Sequence, residues 1–565
     1  MGETATREDT RPIALRSLAL AAVVALLAAL SIAFFPGHSL LASDTQIYLP
    51  ILEHLRDPSV LAGDPVAQRP HVSFTVYDEV ALALRGAGID FETALLAQQF
   101  VFRALGILGV WLVASSMGLG FGMATVTAAV FSLGAVIGGP TVLTVEYEPV
   151  PRGFAIPLLV LAMGCAAHGR DLLAGAAASV AFLYHPPSAV TFWGVYFLLS
   201  LWPSSVKVMS RRVLGLAPLL AGVLVMLVLS RMQGGVSEVQ PFFGRIDPEL
   251  ERLQRLRGSY NWISTWGAMW APQYVFLWAA SLFAYWRVRR DAVQDLRFFL
   301  IGLPALGIAS MPLSWLLLEK LKWVVAPQVQ PARALLFVTL IAGVLACVVG
   351  AKTAAKGRWW EAGLWFVLAY AIPTQSRLFD VIESPGAIAL VVGLAALATF
   401  AAWAEARKLH WAMAGAAAAA LLPFLLVPLL PEAPRAPNPH TPELDALSRW
   451  ARESTPVDSM FLFPDAGKTL APGIFRARAL RAVYVDWKGG GQVNFLRRFA
   501  QEWWERWQRT GAGRFKPWHV PAYGRWGIDY FVLKRGVLVP GFTPVYANGG
   551  YAVYATTAPG NLMAP

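Results

Sequence analysis

Cysteine and charge are both scarce in this chain of 565 residues. The two cysteines, Cys165 and Cys347, each lie inside an apolar run. Two isolated thiols exclude a disulfide framework and a cysteine metal site, and read as packed side chains. Charged residues make up 15% and hydrophobic ones 56%, whereas soluble domains carry about a quarter charged residues. That shortage excludes an ordinary soluble protein and indicates a chain largely dissolved in lipid. Familiar chemical motifs are missing too. There is no HExxH, GxSxG, GxGxxG, or GxxxxGK followed by Ser or Thr. The sequence thus offers no support for the corresponding zinc hydrolases, serine hydrolases and nucleotide loops. No internal repeat of fixed period is present.

The charge that is present is net +12. It gathers in short connections between apolar runs, as the positive-inside rule requires. No basic helix or aromatic platform of the nucleic-acid-binding kind accompanies it, so nucleic acid is excluded as a partner. The first apolar run, Ala14 to Phe35, follows Arg7 and Arg11. It is too long for a signal-peptide core and lacks a clean small-residue cleavage site, so it reads as an uncleaved first helix.

Hydrophobic windows predict about thirteen membrane spans, centred near residues 25, 107, 129, 160, 178, 196, 221, 279, 307, 341, 366, 392 and 420. Alternate connections are basic: Arg170; Lys207, Arg211 and Arg212; Arg287, Arg289, Arg290 and Arg297; Lys352, Lys356 and Arg358; Arg407 and Lys408. This places the N-terminus in the cytoplasm and, with an odd count, the C-terminal part outside. The expected organisation is a transmembrane helix domain over 1–430, a proline-rich linker over 431–440, and an extracytoplasmic α/β domain over 441–565. The first outer loop covers about 36–95. The fold class is therefore mainly α, a polytopic helix bundle with a small soluble α/β domain, in a bacterial cytoplasmic membrane.

In the last part, Thr441-Pro442 reads as an N-cap with proline in the first helical turn. Met460–Phe463, Ala482–Val485 and Tyr530–Leu533 read as buried strands, and Tyr546 with Tyr551–Tyr554 as a hairpin across Asn548-Gly-Gly550. Glu502–Trp507 reads as a helix docking on the membrane domain. The glycines after Val485-Asp-Trp-Lys488 are a weak candidate anion cradle at the next helix start.

Four segments carry candidate chemistry. Asp44 stands just after the first span, where a partly wet carboxylate can act as a base or merely begin a helix that Pro50 would disturb. Glu146 and Glu148, at i and i+2 in an extended connection, face the same way. With Asp44 they would share acid and base work or hold a divalent cation, and Arg152 would grip a phosphate with its planar fork; the alternative is a solvated loop with Arg152 at an interfacial helix start. Tyr184-His185-Pro186-Pro187 marks a helix end, with His185 as a proton relay, a ligand or an interfacial hydrogen-bonder. Arg333 opens the tenth span from the outer side, suited to a lipid phosphate or to snorkelling. Trp262, Trp266 and Trp270 recur at i, i+4, i+8, which predicts one aromatic helix stripe.

The layout resembles the GT-C superfamily of membrane glycosyltransferases. The resemblance is carried by Asp44 in the first outer loop, Glu146 and Glu148 in the second, the many-span core and the end domain. It is also similar to a bacterial integral-membrane family with a D-x-x-x-Y-x-P segment after the first helix and V-D-W-K-G-G in the end domain. Here these are Asp44–Pro50 and Val485–Gly490. The resemblance implies transfer of a sugar from a polyprenyl-phosphate donor on the outer side of the membrane. It casts Asp44 as base, Glu146 and Glu148 as auxiliary acids, and Arg152 and Arg333 as phosphate holders. Asp44 lacks the adjacent second acid of the usual pattern. The alternatives are therefore a non-catalytic scaffold in envelope assembly and a lipid or solute transporter. The nearly charge-free spans count against transport.

Overall fold

A computed structural model describes residues 13–68, 75–233, 242–494, 497–537 and 539–556. Arg7 and Arg11, invoked above, lie outside these residues. Every one of the thirteen apolar windows folds as a helix, from Ile13–Ala33 to Ala412–Leu426. In lipid a helix satisfies its own backbone, so a long run of Leu, Ala and Val has no other stable spanning form. Seven helices are long and apolar enough to cross a membrane, among them Phe91–Ser116, Pro385–Ala406 and the stretch Ala326–Ala355. Three shorter ones, Phe121–Ser132, Pro151–Ala167 and Asp171–Tyr184, are apolar as well. The protein is thus an integral membrane helix bundle.

Helix Leu335–Ala355 forms the axis of the bundle, packed by Trp270–Val288, Gln294–Ser314 and Trp359–Thr374. Helices Phe91–Ser116 and Pro151–Ala167 meet at small residues. A Cβ on Gly109 would stand 2.5 Å from the Leu161 backbone nitrogen, so only glycine allows this approach. Arg103 is one of the few charges buried in the bundle. It is 3% exposed and donates to the carbonyls of Ser31, Gly37 and Glu146 at 2.6–2.8 Å. Its charge is spent tying the end of the first helix to the Glu146 segment.

One end of the bundle carries the longer connections. Helix Thr45–Arg56 lies there, between the bundle and the C-terminal sheet. The sequence reading set Pro50 against a helix, but the helix runs through it. Tertiary burial outweighs the missing amide: Leu49 and Leu52 enter the main core, while Ile47 and Ile51 enter a second core with Leu253, Trp262, Leu462 and Tyr484. The tryptophan stripe does not form. Trp262 and Trp266 stand at 3₁₀ turns (Ser259–Asn261 and Ile263–Thr265), and Trp270 begins a separate helix. Trp266 and Trp270 instead pack on Gly139 and Gly138, in the connection between strands β1 (Val136–Ile137) and β2 (Val142–Leu143).

The C-terminal sheet holds β3 (Met460–Leu462), β4 (Ala482–Val483), β5 (Tyr530–Lys534), β6 (Tyr546–Ala547) and β7 (Tyr551–Ala555), in the order β4-β3-β5-β7-β6. The expected strands and hairpin are in place, with β3 parallel to both neighbours and β5, β7 and β6 antiparallel. Thr441 caps helix Pro442–Ser454 by accepting the Leu444 amide at 3.2 Å. Helix Arg497–Arg509 buries Trp503 and Trp507 and packs on helix Pro248–Arg257, a connection of the bundle. The sheet region also grips the first loop. Arg478 pairs with Glu92, His440 bonds the Leu40 carbonyl at 2.8 Å, and Ser39 donates to the Pro437 carbonyl at 2.6 Å.

Candidate functional site

Asp44 occupies the N-cap position of helix Thr45–Arg56, yet its side chain makes no capping bond. The cap comes from far along the chain. The Glu148 carboxylate accepts the amides of Ser43 at 2.6 Å and Asp44 at 2.8 Å, and the Thr45 hydroxyl at 2.7 Å. Both Glu148 oxygens are thereby committed to the start of this helix, where a negative charge also suits the helix dipole. Burial, followed by the neighbouring Asp44 charge, pushes the Glu148 carboxyl above its usual range.

Freed from capping, Asp44 faces two cations. Arg152 donates to one of its oxygens at 2.7 Å and Lys488 to the other at 2.8 Å. Burial alone would raise this carboxyl; Lys488 and Arg152 outweigh it and hold Asp44 far below the ordinary carboxylate range. Arg152 also donates through Nε to Glu146 at 2.6 Å. Glu146 is fixed in turn by its backbone carbonyl, which accepts from Gln99 and Arg103 at 3.0 and 2.6 Å. The two glutamates, alike in sequence, have separate tasks here: Glu146 orients Arg152 and Glu148 holds the helix.

Arg333 and His185 join the same cluster. Arg333 stands on the 3₁₀ turn Pro331–Ala334 at the head of the axial helix, over the Tyr260 ring at 6.0 Å. Its charge acts on both Tyr48 and His185. His185 caps helix Pro186–Leu201 by accepting the Ser188 amide. Burial, then Arg333 and Arg152, keep its imidazole well below the usual histidine range and so neutral. The heads of four helices, at Thr45, Pro151, Pro186 and Leu335, therefore meet around one cluster. Each adds partial positive charge.

Two site residues escaped the sequence reading. Lys488 comes from the V-D-W-K-G-G segment, whose presence was legible but whose reach to Asp44 was not. Arg257 ends helix Pro248–Arg257, lies over Trp487 at 4.6 Å and donates to the Lys488 carbonyl at 3.4 Å. Among the described residues no carboxylate lies within ion-pair distance of Arg257 or Arg333, and the Nε of each is buried without a hydrogen-bond partner. Four cations (Arg152, Lys488, Arg257 and Arg333) thus face three carboxylates (Asp44, Glu146 and Glu148), a net positive charge suited to an anion.

The glycines after Lys488 do not cradle an anion. The Gly489 amide is taken by Asp486 at 2.5 Å, and the Gly491 amide by the Lys488 carbonyl at 2.9 Å. A divalent cation does not fit the carboxylates in this arrangement either. Arg152 stands between Asp44 and Glu146, Glu148 is spent on backbone, and no group of three or more metal-ligating side chains exists among the described residues.

Residues 442–510 match a family described only as a domain of unknown function (DUF6798). No curated protein matches the chain by sequence. In structure it is similar to ArnT from Cupriavidus metallidurans bound to undecaprenyl phosphate, with 14% identity, a TM-score of 0.50, and coverage of 97% of this chain and 99% of that one. Arabinofuranosyltransferase AftD from Mycobacteria aligns at 15% identity and TM-score 0.43, over 98% of this chain and 41% of its own. The archaeal oligosaccharyltransferase AglB from Archaeoglobus fulgidus, in complex with an inhibitory peptide and a dolichol-phosphate, aligns at 11% identity and TM-score 0.42, over 92% of this chain and 69% of its own. Nearly the full length of the chain follows ArnT, and its fold is the GT-C fold of membrane glycosyltransferases.

Proposed function

We propose that this protein transfers a sugar from a polyprenyl-phosphate donor to an acceptor on the extracytoplasmic side of a bacterial cytoplasmic membrane. The observation carrying this reading is the surplus of cations around Asp44, with Arg333 and Arg257 lacking carboxylate partners. A lipid phosphate supplies the missing negative charge, and its polyprenyl tail belongs in the bilayer beside the bundle. Arg152 and Arg333 would hold the phosphate, with Glu146 orienting Arg152. Asp44 would take the proton from the acceptor as its oxygen bonds to the anomeric carbon. The bond between that carbon and the phosphate oxygen breaks, and the departing phosphate keeps the electron pair, stabilised by the arginines. Glu148 would serve the site by fixing the helix that presents Asp44. His185, held neutral, would line the same cluster.

The test uses purified protein reconstituted in lipid with a labelled polyprenyl-phosphate sugar. Asp44→Asn should preserve folding and lower turnover by about a hundredfold or more, the scale of general-base catalysis. Equal turnover by the variant would remove Asp44 from the mechanism. A non-catalytic scaffold is the second reading, favoured by the two ion pairs that occupy Asp44. Lipid-phosphate binding without turnover of any tested donor would select it.

A further inference from the structure

Both oxygens of Asp44 are occupied, by Arg152 at 2.7 Å and Lys488 at 2.8 Å. A base in that state has little capacity to accept a proton, so at least one pair must open before it can act. The two cations are not equally free to leave. Arg152 is held a second time by Glu146 at 2.6 Å and its side chain is 13% exposed. Among the described residues the Lys488 ammonium has only the Ser43 hydroxyl besides Asp44, at 3.1 Å, and its side chain is 22% exposed. A lysine ammonium on a flexible four-carbon stem also changes partners more readily than a guanidinium fixed between two carboxylates.

The backbone beneath Lys488 is, by contrast, firmly held. Asp486 accepts from Gly489 and from Arg476, the latter at 3.0 Å. Its carbonyl accepts from Trp503 at 2.8 Å, and Arg476 is bound on its other side by Asp64 at 2.6 Å. Lys488 can therefore swing its side chain while the turn stays fixed. Arg257, which touches the Lys488 carbonyl, and Arg333 already form an under-neutralised cluster nearby.

We propose that Lys488 is a latch that the C-terminal region places on Asp44, and that an incoming lipid phosphate takes the lysine for itself and frees the carboxylate. This rests on the lipid-phosphate reading above and adds a regulation to it. Asp44 becomes available as a base only when a donor is in place, so an empty site does not abstract protons. Phosphate and Asp44 compete for one ammonium, and the linkage is reciprocal.

The competition gives a test whose sign separates it from simple charge screening. Undecaprenyl phosphate serves as the probe, titrated into the full-length protein in detergent. Lys488→Ala should weaken its binding severalfold in the native background, because a gained phosphate contact is partly offset by a lost Asp44 contact. In the Asp44→Asn background the same change should cost more, about 10- to 100-fold, the value of an undiluted charge-assisted contact. If Lys488 only screened Asp44, its loss would cost nothing in that background, and this outcome would overturn the latch. Lys488→Gln serves in place of Lys488→Ala if the shorter side chain impairs folding, judged by size-exclusion profile and thermal unfolding. Unchanged affinity on Lys488→Ala in both backgrounds overturns the latch alone. Failure of folded wild type to bind the probe overturns the lipid-phosphate reading and the latch together.

Discussion

The Asp44 amide donates to Glu148 at 2.8 Å while the Asp44 carboxylate turns away to Arg152 at 2.7 Å. One acid therefore supplies the cap that its neighbour, standing at the capping position, does not. Glu148 is 1% exposed, and its substitution leaves the donors of Ser43 and Asp44 without an acceptor. Glu148→Gln brings an NH₂ group against those amides or turns one oxygen away. It should lower stability by about 1–3 kcal/mol, the cost of buried unpaired donors. Thermal unfolding in detergent measures this. An unchanged transition would show that water replaces the cap at no cost.

Arg333 offers a cleaner view of donor binding, because no carboxylate among the described residues pairs with it. Arg333→Ala should weaken affinity for undecaprenyl phosphate by about tenfold or more without lowering stability to match. Part of the cost of burying its charge disappears with it. Arg333→Lys should recover part of the affinity, since charge returns without the planar fork. Affinity equal to wild type in Arg333→Ala would return this residue to the snorkelling role. Binding isotherms beside unfolding curves decide between the two.

Much of this arrangement was legible in the sequence, for identifiable reasons. Helices that must satisfy their backbone in lipid leave long apolar runs, so all thirteen windows appeared as helices. The strands of the C-terminal sheet were visible because Phe461, Val483 and Val532 sit in short buried runs. Asp44, Glu146, Glu148, Arg152, His185 and Arg333 drew attention as polar residues at the ends of apolar text, and they do come together. Lys488 and Arg257 were hidden for a different reason. Lys488 lies 444 residues from Asp44 along the chain, and no local pattern encodes a contact made by docking two distant parts. The tryptophan spacing is misleading because one helical period from Trp262 to Trp270 has to cross a 3₁₀ turn at Ile263–Thr265 and Gly267, where the chain breaks before the next helix. The distinct tasks of Glu146 and Glu148 were likewise unreadable, since both occupy one extended segment.

The positive-inside rule predicts the orientation from the end of the bundle away from the site. Arg211 and Arg212 pair with Asp295 there at 3.0 and 2.6 Å, Arg287 with Glu361 at 2.5 Å, and Lys352 with Asp291 at 3.0 Å. Beyond these pairs, that end keeps Arg289, Arg290, Lys356, Arg407 and Lys408, which the positive-inside rule assigns to the cytoplasm. A periplasm-active reporter fused after Pro565 should therefore be active, and a reporter that works only in the cytoplasm should be silent. The opposite pattern would place the Asp44 cluster on the cytoplasmic face and remove an extracytoplasmic acceptor.

The pH dependence of turnover should separate the empty site from the loaded one. In the structure Lys488 and Arg152 overcome burial and hold Asp44 far below its ordinary range. A carboxyl depressed in the folded state adds stability above its unfolded value, near 3.9, and that stability is lost as pH falls through the lower folded value. The stability difference between wild type and Asp44→Asn should thus stay constant from about pH 8 to pH 5 and change only in stronger acid. A bound phosphate alters the balance. It draws on Arg152 and Lys488, adds negative charge near Tyr48, Glu148 and Arg257, and so raises the proton affinity of Asp44. The acid limb of kcat, which reports the donor complex, should lie at higher pH than that of kcat/KM for the donor, which reports the free enzyme. Coincident acid limbs in the reconstituted assay would mean that Asp44 keeps both cations through the reaction, and another group would have to accept the proton.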